Sequence, residues 1–377
     1  MVSSPGHDTF AITDLAAYKR NIQKILSYIG ESVRLMAVVK ANAYGHGMAE
    51  CAQTALQAGA SMLGVAFASE GAKLRSSGIA APVHVLAQES FDVIPTLIDN
   101  DLIISLTSFT MLDELQKVLA QKKRTCRVHI KVDTGMGRIG IQPDDAPKLV
   151  EKAWNTRCIT VEGIFTHFPS ADEDRDRFSL NQIEIFNGLL SELISRGIKP
   201  KIAHMCNSAG ILKFPEAHFD LVRPGIMTYG LIPYPGSEEK LTSEPIMSFK
   251  SKIAFIKEVP SGFTVSYGGT FVTKRPSRLA TVPVGYADGY NRHLSNKGKA
   301  IVNGTTVPVV GRVCMDQTVF DITDAMEVRV GDPIILIGRD GDKRITAEDH
   351  AQIAGTISHE IVTGITSRVF RIVTPAT

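Results

Sequence analysis

Leu35-Met-Ala-Val-Val-Lys40-Ala-Asn-Ala-Tyr44-Gly-His-Gly47 is the stretch whose reading decides the fold. Residues 35–39 are apolar on both faces, as in a strand covered on both sides. The run ends at a lysine and enters a polar turn, where Gly45 and Gly47 let the backbone bend or approach a ligand closely. Strands buried on both faces belong to parallel α/β sheets, and such folds hold their chemistry at the carboxyl ends of strands. Lys40 stands at such an end. An amine partly removed from water there binds its proton less tightly and becomes available as nucleophile or base. For the residue in isolation, the competing reading is a lysine that keeps its head in solvent.

Working outward, the same unit recurs. Leu15, Tyr18, Ile22, Ile25 and Ile29 follow Thr13-Asp14 at helical spacing. Strand-like runs then occur at residues 35–39, 62–67, 83–87, 102–106, 127–132, 161–166, 201–205 and 221–223, with helical patterns between them at 111–120, 146–154 and 181–196. Eight strands alternating with helices match a (β/α)8 TIM-type barrel in size and rhythm. Periodicity alone leaves a doubly wound open sheet as the alternative. The polar residues favour the barrel. Lys40 follows the first run, and Lys131, Asp133 and Arg138 end or follow the fifth. His167 follows the sixth, His204, Asn207 and Ser208 the seventh, and Arg223 and Gly225 the eighth. In a barrel these converge on one face, whereas in an open sheet they would be strung along a line.

Gly135-Met-Gly137-Arg-Ile-Gly140 is a literal G-x-G-x-x-G after a strand. A dinucleotide turn would put it after the first strand with a helix opening at the third glycine. Here it follows the fifth run and the next helix begins beyond Pro143, so a nicotinamide-dependent oxidoreductase has little support.

Beyond the turn-rich stretch at residues 233–240 the pattern changes to short β-rich runs. Asn303-Gly304 between 300–302 and 307–310 is a hairpin signal, and Asp340-Gly341-Asp342 separates 334–337 from 344–345. Thr346-Ala-Glu-Asp349 reads as a helix start leading into 353–361. The expected organisation is a barrel over 11–235 followed by a mainly antiparallel β domain over 241–377, with residues 1–10 a candidate addition to the latter.

The 377 residues carry a net charge of +2, with 21% charged and 44% hydrophobic, which gives no argument for a nucleic-acid or membrane-surface partner. The five cysteines are scattered and form no C-x-x-C, so neither a disulfide framework nor a metal site is expected. The start lacks a basic segment followed by an apolar core, no run is long enough to span a membrane, and a cytoplasmic location is expected.

Ala-Val-Val-Lys40-Ala-Asn-Ala-Tyr44-Gly-His-Gly resembles the pyridoxal-phosphate lysine motif of alanine racemases. Lys131-Val-Asp-Thr-Gly-Met-Gly-Arg138, His204-Met-Cys-Asn207-Ser208-Ala-Gly, Val-Arg223-Pro-Gly225-Ile226-Met-Thr-Tyr-Gly, Val-Ser-Tyr267-Gly-Gly-Thr-Phe, Val-Gly-Tyr286-Ala-Asp-Gly-Tyr and Gly-Arg312-Val-Cys-Met315-Asp316-Gln continue the resemblance to the C-terminus. It implies a pyridoxal 5'-phosphate enzyme in which Lys40 holds the cofactor as a Schiff base and shares acid–base work with Tyr267. It further implies phosphate contacts from Tyr44, Asn207, Ser208, Gly225 and Ile226, with Arg223 facing the pyridine nitrogen.

An arginine does not readily give up a proton, so Arg223 would leave that nitrogen unprotonated and favour proton return over transamination. A free phenol loses its proton near pH 10, so Tyr267 would need electrostatic help, supplied through His167 and Arg223. Arg138, Met315 and Asp316 would meet the substrate, with Lys131 orienting Arg138 as a carbamate. Asp172, His204, Tyr286, Arg292 and Arg312 match the family's site entrance.

The family brings its tyrosine base from a second subunit, implying a homodimer with shared active sites and a small amino-acid substrate. Its usual role is D-alanine supply for peptidoglycan. A broader serine/alanine or other amino-acid racemase, and an amino-acid decarboxylase of the same fold, are the alternatives. One departure stands out: where the family usually has Ile-Ser-Tyr-Glu, this chain has Ile357-Ser-His359-Glu360. The shorter imidazole is expected to loosen discrimination between alanine and serine.

Overall fold

A computed structural model describes residues 8–173 and 176–375. They divide into two compact units, one built from 18–43 and 48–244, the other from the N-terminal segment through Ala17, residues 44–47 and everything from Pro245 onward.

The first strand, β1 (Phe10–Asp14), belongs to the second unit. The next eight are β2 (Arg34–Val38), β3 (Met62–Val65), β4 (Val83–Val85), β5 (Ile103–Leu106), β6 (Cys126–Lys131), β7 (Ile159–Phe165), β8 (Ile202–His204) and β9 (Leu221–Val222). They pair in parallel in sequence order, and β9 closes onto β2 through Arg34↔Leu221 and Leu35↔Val222. That closure decides for the barrel over the open sheet. All eight strand-like runs of the sequence are present, with helices such as Phe109–Lys122, Ala146–Trp154 and Asp176–Ser195 between them.

Both faces of the sheet are covered, β3, β4 and β5 being buried at every residue, and β3 reads as a continuous apolar run. Met36, Met62, Ile103, Ile202 and Leu221, from five different strands, meet in one interior cluster with Leu86 against it. Each such side chain is worth about 2 kcal/mol on burial. The shortest barrel strand is β9, two residues long, because Pro224 cannot donate to a ladder and ends it.

In the second unit β10 (Met247–Lys252) accepts β1 antiparallel, Ala11 facing Phe249, and β1 in turn pairs in parallel with β20 (Phe370–Thr374). The sheet continues through β18 (Pro333–Asp340), β15 (Lys299–Val302) and β16 (Thr305–Pro308), with β19 (Lys343–Ile345) on β18. A second sheet joins β11 (Phe255–Val259), β14 (Ser277–Val282) and β17 (Thr318–Asp321), and β12 (Thr264–Val265) pairs with β13 (Phe271–Val272). Apart from β1–β20 these pairs are antiparallel.

Asn303 and Gly304 take φ of 46° and 70°, the two positive values that a two-residue type I′ turn requires between β15 and β16. Thr346 caps the helix Ala347–Ala354 reciprocally with Asp349. The expected run over 353–361 is corrected: Gly355, at φ 72°, ends that helix, and a second one, Ser358–Thr363, starts afresh. Among the described residues no helix is long and apolar enough to cross a membrane.

Candidate active site

The backbone after β2 does something the sequence does not announce. Ala41, Asn42, Ala43 and Tyr44 all lie in the left-handed region, with φ between 52° and 55°. Of these only Asn tolerates it readily, and each other residue costs about 1–2 kcal/mol. The turn is held by named bonds: Ala43 N donates to Val39 O at 2.8 Å, Ala41 N to Glu70 Oε1 at 2.6 Å, and Met48 N to Asn42 Oδ1 at 3.0 Å. Glu70 Oε2 also accepts from Ala66 N at 2.8 Å, so one carboxylate ties the Lys40 turn to the end of β3. Strain held in place by its surroundings marks functional sites. Glu70 is a residue the sequence reading missed, and no motif surrounds it.

Burial and the nearby Arg138 guanidinium push the Lys40 ammonium below the usual lysine range, against a smaller opposing effect of Glu70. Lys131, at the end of β6, is 2% exposed. Its Nζ has no hydrogen-bond partner among the described residues and lies 4.8 Å over the Phe165 ring. Burial, then Arg223 and Arg138, hold it well below the ordinary lysine range.

Arg223 follows β9 and is fully engaged. Its Nη2 donates to Thr166 O and Met205 O, both at 2.8 Å, and to His167 Nδ1 at 3.0 Å, while Nη1 donates to His204 Nδ1 at 2.7 Å. Burial lowers its pKa to about 10, which still leaves it charged at neutral pH. Because His167 Nδ1 accepts, its proton sits on Nε2, free to be offered onward. Burial and the charges of Arg223, Lys131, Arg138 and Lys40 keep His167 neutral at neutral pH. Those groups come from the ends of three strands, β2, β6 and β9, so the barrel gathers them at one mouth.

At that mouth Asn207 caps the helix Ser208–Lys213 by accepting from Gly210 N at 2.9 Å. Ser208 Oγ accepts from Gly225 N at 3.0 Å and Met227 N at 3.3 Å, which gathers the hydroxyl and the backbone around Ile226. Arg138 is exposed on the loop after β6, and Asp172 on the loop after β7. The glycines of that first loop serve a tight turn that brings Ile141 back against Val132: Asp133 Oδ1 accepts from Gly135 N and Gly137 N, and a Cβ on Gly140 would lie 2.9 Å from Asp133 N. Nothing there resembles the start of a dinucleotide-binding helix. His204 is also corrected. It is fully buried inside the barrel and bonded to Arg223, not placed at an entrance.

In the second unit three motif segments pack together. Tyr267 is 71% exposed, next to Ser266 (φ 63°), whose Oγ donates to Arg312 O at 2.7 Å. Gly285 sits so close to Met315 that a Cβ would be 2.2 Å from the Met315 carbonyl oxygen, and Tyr286 N donates to Cys314 O. Tyr286, Met315 and Arg292 are exposed. Asp316 is paired with Arg368 at 2.8 Å. Tyr44 is buried and lies 5.8 Å, ring to ring, from His359.

Two family descriptions match in tandem: "Alanine racemase, N-terminal domain" over residues 13–233 and "Alanine racemase, C-terminal domain" over 246–373. An alanine racemase from Halothermothrix orenii is 43% identical over 96% of each chain, and one from Symbiobacterium thermophilum is 44% identical over 96% of each. Among solved structures, alanine racemase from D-cycloserine-producing Streptomyces lavendulae superposes with a TM-score of 0.94 at 36% identity, covering 99% of this chain and 98% of that one. The Bacillus anthracis enzyme, with bound L-Ala-P, gives 0.91 at 39% identity over 99% and 96%. Closed barrel, β domain and motif segments thus agree with relatives matched over their full length, and the chain belongs to the alanine racemase family.

Proposed function

We propose that this chain interconverts L-alanine and D-alanine with pyridoxal 5'-phosphate as cofactor, using Lys40 and Tyr267 as its two acid–base groups. The observation that carries the reading is the barrel mouth itself: an amine with a weakened hold on its proton, a buried charged guanidinium, and a hydroxyl–amide cluster suited to an anion. That donor set fits the cofactor. Lys40 would hold its aldehyde carbon, Arg223 its ring nitrogen, and Tyr44, Asn207, Ser208, Gly225 and Ile226 its phosphate.

Bound pyridoxal phosphate supplies the electron sink that makes the α-proton of an amino acid removable. The chain's residues do the rest. Lys40, with its proton affinity lowered by burial and Arg138, takes or returns a proton on one face. Tyr267 does so on the other, with the Nε2–H of neutral His167 available to hold its oxygen. Arg223 stays charged and gives up no proton, so the ring nitrogen is left bare and proton return outruns transamination. Arg138, Met315 and Asp316 orient the substrate carboxylate. Lys131, buried without a hydrogen-bond partner, is suited to capture carbon dioxide as a carbamate, whose oxygens would anchor Arg138.

The exposure of Tyr267 supports its delivery to the barrel of a second subunit in a homodimer. We propose that the cofactor-binding barrel lies within residues 11–235, of which β1 instead joins the sheet of the second unit, and that 241–377 form the domain carrying this base, with a cytoplasmic role in supplying D-alanine for peptidoglycan. A second reading, a broader alanine/serine racemase, is favoured by one observation: His359 lies beside Tyr44, where the family usually has a tyrosine.

The test is chiral chromatography after incubation of the protein with pyridoxal phosphate and L-alanine, L-serine or L-lysine separately. Dominant D-alanine is expected. Dominant D-serine would move the substrate, and a protein that turns yellow yet forms no D-isomer would overturn the Tyr267 assignment.

A further inference from the structure

Three histidines from three strands, His84, His129 and His204, are fully buried in the barrel, with ring nitrogens within 4.8 Å of one another. None belongs to the acid–base pair, and a core built for packing would use aliphatic side chains here. Two readings compete, a metal centre and a hydrogen-bonded chain, and Arg223 discriminates between them.

The proton positions follow from the partners. Arg223 can only donate, so His204 Nδ1 is an acceptor and its proton lies on Nε2. His204 Nε2 is 2.8 Å from His129 Nδ1, so His129 accepts there and carries its own proton on Nε2. That Nε2–H faces Glu162 Oε2 at 3.7 Å, longer than a direct hydrogen bond. Arg127 Nη1 lies 3.8 Å from the same oxygen. A metal between the rings would need the lone pair of His204 Nε2, the position where Arg223 forces a proton. It would also add a cation beside Arg223, whose charge already weighs on His204.

The surroundings are shaped for this chain. A Cβ on Gly163 would come within 2.7 Å of His129 Nδ1, so only glycine admits that ring. Phe165 stacks on His204 with centroids 4.8 Å apart and planes 2° from parallel, which fixes the imidazole's plane. His84 Nε2 donates to Ser105 Oγ at 3.0 Å, since that hydroxyl spends its proton on Val85 O, and its ring packs 4.5 Å from His129.

We propose that His129 and Glu162 are positioning residues for Arg223, acting through His204 as a relay that locks both imidazole tautomers and ties the guanidinium to a carboxylate across the barrel. This rests on the reading of Arg223 as the partner of the cofactor ring nitrogen. Burial holds both imidazoles below the ordinary histidine range, Arg223 adding to it at His204 and Glu162 opposing it at His129.

The test begins with nitrogen-15 NMR of the histidine side chains in the cofactor-free protein. Nε2–H tautomers at His129 and His204 are expected, and an Nδ1–H at His204 or stoichiometric bound zinc would overturn the relay. His129→Phe removes the acceptor and leaves a buried N–H unpaired. It should lower kcat about 5- to 100-fold, the range for one such orphaned group. His129→Asn, which restores an acceptor near Nδ1, should recover most of that loss, and equal loss in both would reduce His129 to packing and overturn its positioning role. Glu162→Gln should shift the His129 resonances and lower kcat with KM little changed. Failure of the underlying reading looks different: tautomers as expected, but His204 resonances indifferent to added pyridoxal phosphate although the protein turns yellow.

Discussion

Replacing Lys131 by methionine should make the cofactor-free protein more stable. Lys131 is 2% exposed and its Nζ has no hydrogen-bond partner among the described residues. An unsatisfied buried polar group costs about 1–3 kcal/mol. Methionine is unbranched, of similar length, and packs well against an aromatic ring such as Phe165. The expected gain in carbon dioxide-free buffer is therefore about 1–3 kcal/mol, or roughly 1–4 °C in melting temperature for a chain of this length.

The pH dependence has a definite sign. Burial lowers the folded-state pKa of Lys131 well below that of the unfolded chain, about 10.4. Between those values the unfolded state holds one more proton, so wild-type stability rises with pH by about 1.4 kcal/mol per unit. It falls as pH drops through that window and levels off once acid has protonated the folded amine, and the variant lacks this slope. Bicarbonate adds a second arm. If the amine takes up carbon dioxide and releases a proton, wild type should gain stability and activity with bicarbonate, while Lys131→Met gains neither and has a raised KM for alanine. Thermal melts across pH, with and without bicarbonate, read all of this. A Lys131→Met protein that melts below wild type in carbon dioxide-free buffer would refute the reasoning.

Other substitutions separate chemistry from packing. Tyr267→Phe removes only a hydroxyl from a side chain that is 71% exposed, so stability should change by less than about 0.5 kcal/mol. Racemisation should drop by about 10²–10⁴-fold, and near-wild-type turnover would exclude it as a base. Gly163→Ala places a methyl 2.7 Å from the His129 ring. It should cost about 1–3 kcal/mol in a urea melt, and a neutral result would mean the ring has room to shift. His359→Tyr should lower the serine-to-alanine rate ratio, and an unchanged ratio rejects the role given to His359.

The barrel strands are legible in the sequence because a parallel sheet covered on both faces favours short, mostly apolar runs, and these meet polar residues at their carboxyl ends. The Asn303-Gly304 hairpin is legible because its turn needs two positive φ values, which few dipeptides accept. The helix break at Gly355 is not, since a lone glycine inside a periodic pattern is compatible with continuation or with a stop. The left-handed turn after Lys40 is hidden for a stronger reason. Ala-Asn-Ala-Tyr carries no glycine, and the conformation is held by Glu70, about thirty residues away in sequence.

Local side-chain chemistry by itself therefore determined the alternation of strand and helix, the change to a β-rich C-terminal region, and which residue types stand at strand ends. Those properties depend on neighbours within a few positions. Only tertiary structure decided that the sheet closes, that Lys131 is buried without a hydrogen-bond partner, and that His204 faces inward to Arg223 rather than outward. It alone brings His129 to His204, 75 residues apart in the chain, and Gly163 against the same ring. Burial and proton position are set by the atoms that surround a group in space, and the order of residues along a chain does not specify which distant atoms those will be.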